Sequence, residues 1–225
     1  MPRRTKADAQ VTRHALLDAA EQLFQAHGVS RTSLNDIATA AGTTRGAIYW
    51  HFQDKADLFN AMMERVTLPL EESMASAACQ ARRHDDPLAS LRASVADAMQ
   101  KTAHDEQTRR VFEVATHKVE YVEEMRAVRD RHLRVRNEHM AFAAQVLQEA
   151  ATRQALTLAV PVAHAAMGLH VMLDGLIQNW LLDPTAFDLE TVGRQAVDTY
   201  LAGLGFTWPG APAPRRAAAA PSTPP

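Results

Sequence analysis

The sequence contains little of what disulfide-bonded or membrane proteins need. Its one cysteine, Cys79, cannot form a disulfide within the chain. No apolar run approaches the roughly 18 residues of a membrane-spanning helix, and no apolar stretch follows the N-terminal sequence MPRR. These absences predict a globular protein of the reducing cytoplasm, with no secretion signal and no membrane partner.

The motifs of common enzyme classes are missing as well. The chain has no P-loop G-x-x-x-x-G-K-[ST], no G-x-G-x-x-G after a strand, no G-x-S-x-G and no H-E-x-x-H. Cys79 has no evident base to activate it. The sequence therefore predicts a protein that is not an enzyme and needs no cofactor.

Residues 33–55, SLNDIATAAGTTRGAIYWHFQDK, have the pattern of a helix-turn-helix. Ser33, followed three positions later by an acidic residue, predicts a capping box at the start of one short helix. Gly42 can adopt the left-handed conformation that ends this helix, and Thr43 or Thr44 can cap the next one. Two short helices joined by such a turn form the unit that places its second helix in the major groove of DNA.

The second of these helices, predicted over residues 45–52, has two different faces. Ile48 and Phe52 point the same way and can pack on the preceding helix, whereas Arg45 points outward and suits bidentate contact with guanine. Four consecutive aromatic residues cannot all face a core, which argues against a purely structural stripe. The predicted DNA contacts are Ser33, Thr44, Arg45, Gly46, Tyr49, Trp50 and His51, with Lys55 placed against a phosphate at the next helix start.

These residues carry a specific resemblance. The patterns A-x-x-L-F-x-x-x-G-x-x-x-T, I-A-x-x-A-G and R-G-A-I-Y-W-H-F-x-x-K-x-x-L cover residues 10 to about 62 and are similar to the DNA-binding domain of the TetR family of bacterial repressors. The most similar branch is that of the multidrug-efflux repressors of the AcrR and TtgR kind. Thr43 departs from the apolar residue usual there, and we expect only a small loss of packing.

The resemblance implies an all-α fold, with a three-helix DNA-binding domain followed by a helical domain for ligand binding and dimerisation, about nine helices in total. We predict a DNA-binding domain over residues 1–55, a second domain over 56–205 and a disordered Pro/Ala-rich tail over 206–225. The first 55 residues carry a formal charge of +2 and the remainder −4, which fits DNA binding confined to one end.

Six helices are predicted for the second domain. Two start near residues 54 and 87, and the other four span 107–117, 122–153, 162–182 and 189–204. Pro69 lies within the fourth helix of the chain, where it predicts either a kink or a helix end with a new start at Glu71. The segment 162–182 is apolar on most sides, so one side is expected to pack on a second copy. Together with 189–204 it predicts a four-helix homodimer interface.

A repressor must also respond to a signal. The predicted ligand-binding residues are Val95, Met99, Phe112, Thr116, His139, Met167, His170, Asp174 and Ile177. The resemblance places Phe112, Thr116, His170 and Asp174 where the efflux branch contacts its ligands. Two alternatives remain open: His170 and Asp174, four apart on one helix, form a structural hydrogen bond, or they share a metal ion with another histidine.

The sequence thus predicts a ligand-responsive repressor of a multidrug efflux operon, which binds a palindromic operator in double-stranded DNA as a dimer and is released by a lipophilic inducer. A TetR-type regulator of a different operon that responds to a metal ion or a metabolite is the alternative.

Overall fold

A computed structural model describes residues 6–81 and 86–211, apart from the side chains of Glu71 and residues 73–81. All regular secondary structure in this part of the chain is helical, and it contains no strand. Its helices are α1 (Lys6–His27), α2 (Leu34–Ala40), α3 (Arg45–His51), α4 (Lys55–Ala81), α5 (Pro87–His104), α6 (Glu106–His117), α7 (Arg126–Arg153), α8 (Val162–Leu182) and α9 (Leu189–Gly203). The predicted all-α fold is confirmed.

The first three helices form the head, which contains the predicted helix-turn-helix. Ser33 and Asp36 make the reciprocal capping box at the start of α2, and Thr44 caps α3 by accepting from the backbone of Ala47 at 3.2 Å. Gly42 has a φ of +66° in the turn between α2 and α3. Because α3 buries Ile48 against the core of the head, its opposite face is left to solvent.

Helix α4 runs without interruption from the head into the second domain. Pro69 lies inside it, so the predicted alternative of a helix end with a new start at Glu71 is wrong. The first half of α4 packs into the same buried cluster as α1 and α6, through residues such as Phe59, Met62 and Val66. A domain boundary at residue 55 therefore separates α4 from the buried cluster of the head, into which its first half packs.

Residues 206–211, which follow α9, are more ordered than their composition predicts. Phe206 is 2% exposed and Trp208 is 7% exposed, and both belong to the core cluster of the second domain. Gln154 holds this segment, because its side chain donates to the carbonyl of Thr207 at 2.7 Å and accepts from the Thr207 amide at 2.9 Å. The prediction of a disordered tail from residue 206 is wrong for residues 206–211, and residues 212–225 lie outside the described residues.

Helix α8 leaves part of its apolar surface uncovered. Met167, Val171 and Leu182 are 38%, 58% and 69% exposed. Apolar surface on one side of a helix whose other side is buried is typical of an interface with a further subunit. No helix among the described residues has the length and hydropathy needed to cross a membrane.

Candidate DNA-binding surface and ligand cavity

The outer face of α3 presents most of the predicted DNA contacts to solvent. Arg45 and Gly46 are exposed, and Tyr49 and Trp50 are 49% and 72% exposed. The Arg45 guanidinium lies 5.7 Å from the centre of the Tyr49 ring, so the two outward side chains support each other. His51 is half-buried at the end of the helix. This surface combines a cation at a helix N-terminus with aromatic side chains that can donate hydrogen bonds.

Ser33 and Thr44 are exposed, but their hydroxyl groups already serve the helices that they cap. The Ser33 hydroxyl donates to the Asp36 carboxylate at 2.7 Å and accepts from the Asp36 amide at 3.2 Å. The hydrogen bonds from Ser33 lower the pKa of Asp36, because they stabilise the ionised carboxylate. Both caps therefore fix the positions of α2 and α3 as well as lying on the predicted DNA-facing surface.

Lys55 does not lie where a phosphate contact would require. The residue is 8% exposed, and its ammonium group donates to the carbonyl oxygens of Val29 at 3.2 Å and Thr32 at 3.3 Å. Its Nζ also lies 3.5 Å from a carboxylate oxygen of Glu124. The amine is directed into the head, where it satisfies two carbonyl groups of the turn between α1 and α2. The prediction that Lys55 contacts DNA is therefore corrected to a structural role.

A cavity of about 480 Å³ lies between helices α4 to α8. Eight of the nine predicted ligand-binding residues line it: Val95, Met99, Phe112, Thr116, His139, His170, Asp174 and Ile177. Its volume is in the range of small-molecule sites, which run from about 300 to 1,000 Å³. Helices α4, α5 and α6 supply a mainly apolar wall. Helices α7 and α8 add further apolar side chains and a group of polar ones, which we call the polar wall: His132, Arg136, His139, His170, Asp174 and Gln178.

Met167 is the predicted residue that the cavity does not include. It lies four residues before Val171 on the exposed side of α8, so its side chain points to the surface. Its assignment to the ligand site is corrected on this ground.

Asp174 and His170 line the cavity without forming the hydrogen-bonded pair considered above. Asp174 is exposed at the rim, where its carboxylate accepts from the Gln178 amide at 2.5 Å. Burial lowers the pKa of His170, and the neighbouring Asp174 charge opposes this effect only in part. Among the described residues, no three His, Cys, Asp or Glu side chains form a group that could hold a metal ion.

Several polar lining residues were not predicted, among them Tyr121, His132 and Arg136. The last two belong to the charged first half of α7, where the density of charge predicted a solvated surface. The sequence signal was the spacing of His132, Arg136 and His139, which places three nitrogen-bearing side chains on one stripe of the helix. The connector between α6 and α7 brings Tyr121 to the same end of the cavity, with its ring centre 6.4 Å from that of His132.

The same connector also contacts the head. The amide of Val29 donates to the carbonyl of Lys118 at 3.0 Å, and the Lys55–Glu124 ion pair lies at the far end of the connector. Val119 and Tyr121 line the cavity between these two contacts. Residues 118–125 therefore touch both the cavity and the head, beside the path through α4.

A buried carboxylate joins the head to α4 and α6. Glu21 of α1 is 1% exposed and accepts from Arg65 at 3.2 Å and from Gln107 at 3.0 Å, with Arg110 at 3.7 Å. Burial raises the pKa of Glu21, and this effect exceeds the opposing influence of the Gln107 hydrogen bond and the two arginines. The ionised form is therefore less stable in the folded protein than in water.

This pKa shift predicts a pH dependence of stability. The folded state holds the Glu21 proton more tightly than the unfolded state does. Protonation of Glu21 therefore stabilises the folded protein fully below pH 4.5, the ordinary pKa of the side chain, and this stabilisation is lost as the pH rises through the raised pKa. Urea denaturation of the wild type and of Glu21→Gln should be measured from pH 4.5 upward. As the pH rises, the free energy of unfolding of the wild type should fall relative to that of the variant. Glu123→Gln, at a side chain that is 89% exposed, is the control. Parallel curves for wild type and Glu21→Gln would contradict the expectation.

Comparison with known proteins agrees with this arrangement. Residues 16–62 match the family model of bacterial regulatory proteins of the tetR family, and residues 86–206 match the C-terminal region of MAATS-type transcriptional repressors. The transcriptional regulator AcrR of Shigella flexneri is 38% identical over 88% of this chain and 91% of its own length.

Two solved structures have the same fold. The first is NalD, the secondary repressor of the MexAB-OprM multidrug efflux pump in Pseudomonas aeruginosa, with 37% identity and a TM-score of 0.79 over 88% of this chain and 98% of NalD. The second is a complex of SmeT, the repressor of the Stenotrophomonas maltophilia efflux pump SmeDEF, with triclosan, at 29% identity and a TM-score of 0.76 over 91% and 96% of the two chains. The resemblance found in residues 10–62 is thus confirmed, and the chain belongs to the TetR family of bacterial transcriptional regulators.

Proposed function

We propose that the chain is a repressor of a multidrug efflux operon, which binds a palindromic operator as a dimer and releases it when a lipophilic compound enters the cavity. NalD and SmeT, which share its fold over most of their length, repress efflux pumps, and the SmeT complex contains triclosan. The repressor would act in the cytoplasm, where its DNA lies.

The observation that carries the proposal is that a single helix belongs to both functional parts. The first turns of α4 pack in the core shared with the head, whereas Met63, Thr67 and Leu70 of the same helix line the cavity. A ligand that displaces these side chains also displaces the attachment of the head. Since the coupling is reciprocal, operator DNA must weaken ligand binding by the same factor.

The dimer is proposed to form through α8 and α9. The exposed apolar side chains of Val171 and Leu182 would be covered by the same helices of a second copy, related by a two-fold axis. Such a dimer presents two α3 helices to successive major grooves, with half-sites about one DNA turn apart or slightly more. A change in the separation of the heads by a few ångströms would then release the operator.

Arg45→Ala tests the DNA-binding surface. The variant should lose about 1–3 kcal/mol of operator affinity, because the bidentate contact with a base is removed while the fold is untouched. Binding is measured by band shift and the dimer by sedimentation, with Arg153→Ala on the distant end of α7 as the control. Equal loss of dimer and of DNA binding would contradict the assignment of Arg45.

A band-shift titration on the DNA that flanks the gene tests the function as a whole. Saturable binding to one palindromic fragment, relieved by lipophilic antibiotics, dyes or plant phenolics, is the expected result. Relief by divalent metals alone would instead support the alternative of a metal-responsive regulator. Binding that no lipophilic compound relieves would contradict the proposed inducer class.

A further inference from the structure

The polar wall of the cavity contains a cation that has no carboxylate partner among the described residues. The Arg136 side chain is half-buried, and its Nε and Nη2 groups donate to a single acceptor, the amide oxygen of Asn137, at 3.3 and 3.0 Å. Arg131, five residues earlier on α7, is instead held by Glu64 and Thr67. Arg136 therefore has N–H donors to offer to a molecule in the cavity.

The groups that surround Arg136 leave it as the fixed positive charge of the described lining. The other polar groups of the wall are His132 and His139 on α7 and His170, Asp174 and Gln178 on α8, with Tyr121 on the connector. Burial lowers the pKa of His170 and raises the pKa of Tyr121, so both side chains are neutral near pH 7. The described lining residues of α4, α5 and α6 are uncharged.

The negative charge of Asp174 is placed differently. Its carboxylate lies at the exposed rim of the cavity and accepts a hydrogen bond from Gln178. Because Asp174 is exposed whereas Arg136 is half-buried, water screens the carboxylate more strongly than it screens the guanidinium. Opposite the polar wall stand Phe112, Met99 and Val95, which offer contact to a ring.

Resting on the proposed ligand-binding function, we propose that this cavity selects aromatic compounds that carry an anionic group, such as a carboxylate, a sulfonate or an ionised phenol. The anion is bound by Arg136, while the rings pack against the apolar wall around Phe112. A neutral lipophile would displace water from the guanidinium without replacing its hydrogen bonds, and would therefore bind less tightly. A planar guanidinium also matches the spacing of two oxygens in a carboxylate or a sulfonate.

Two fluorescent probes with the same aromatic skeleton test the inference. Anilinonaphthalene sulfonate carries a sulfonate, and phenylnaphthylamine lacks it; both become brighter in an apolar site. Arg136→Gln keeps a polar side chain of similar length and removes the charge. It should weaken anilinonaphthalene sulfonate binding about tenfold, because one charge-assisted contact contributes on the order of 1.5 kcal/mol or more. Phenylnaphthylamine binding should change by less than about twofold, since it makes no such contact.

Two further variants separate the possible failures. Arg134→Gln, at an exposed position two residues away on the outer side of α7, should leave both probes unaffected. Ala98→Trp fills the cavity and should abolish the binding of both. If Arg136→Gln weakens both probes equally or leaves the sulfonate unaffected, the inference is overturned while the cavity stands. If Ala98→Trp leaves both probes bound, the probes occupy another surface, and the cavity itself is not the ligand site.

Discussion

Replacing Phe206 with alanine is expected to lower the free energy of unfolding by about 3–5 kcal/mol, the usual cost of removing a fully buried aromatic ring. The side chain is 2% exposed and packs in the core of the second domain. Urea denaturation at one fixed protein concentration measures the effect, because the stability of the proposed dimer would depend on protein concentration.

Trp208→Phe is the matched control for this result. The Trp208 ring is buried, with the Arg92 guanidinium 4.9 Å from its centre, but its indole nitrogen has no hydrogen-bond partner among the residues that the structure describes. Phenylalanine keeps a ring and removes an unsatisfied donor, so it should cost much less than Phe206→Ala. If Phe206→Ala left stability unchanged, the segment after α9 would be a tail, as its Pro/Ala composition suggests.

The substitution Lys55→Met is expected to have the second large effect, a decrease of about 2–4 kcal/mol in the free energy of unfolding. Methionine retains most of the apolar stem but leaves the carbonyl groups of Val29 and Thr32 without the charged donor, and hydrogen bonds from charged groups contribute about 1.5–3 kcal/mol each. The ion pair with Glu124, which is largely exposed, adds little. Chemical denaturation of the variant and of Lys6→Met, an exposed lysine on α1, measures the difference.

This experiment also separates two roles for Lys55. A phosphate-binding lysine would leave stability intact, weaken DNA binding for all sequences alike and reduce its salt dependence by about one charge. The structural role predicts the opposite pattern: lower stability, with the salt dependence of the remaining DNA binding unchanged. Intact stability in Lys55→Met would restore the phosphate contact.

The helices could be predicted because their signals are local. Capping residues such as Ser33 and Thr44, the left-handed glycine at position 42 and the 3.6-residue apolar period each act over a few positions. The ends of α2, α3 and α8 agree with the prediction within a residue. The start of α7 differs because Glu123–Met125 form a 3₁₀ turn first.

The errors concern residues whose partners are distant in sequence. The acceptors of Lys55 lie 23 and 26 residues earlier, so its position after an N-cap at Asp54 suggested an outward cation. Phe206 and Trp208 stand beside a Pro/Ala-rich sequence, and their burial depends on contacts with α5 and α7. Arg136 was missed because alternating charge normally marks a solvated helix face.

The contacts of the connector with the head bear on how this regulator could be recombined with its relatives. A hybrid joined at residue 55 would combine this head with a foreign core and would break three cross-contacts: Val29 with Lys118, Lys55 with Glu124, and Glu21 with its partners on α4 and α6. Of these, only the contact between Val29 and Lys118 has a main-chain acceptor. Any relative whose connector follows the same path can supply that acceptor, whatever its side chains. The head is therefore a transplantable unit only together with the residues of the core that match its buried charges.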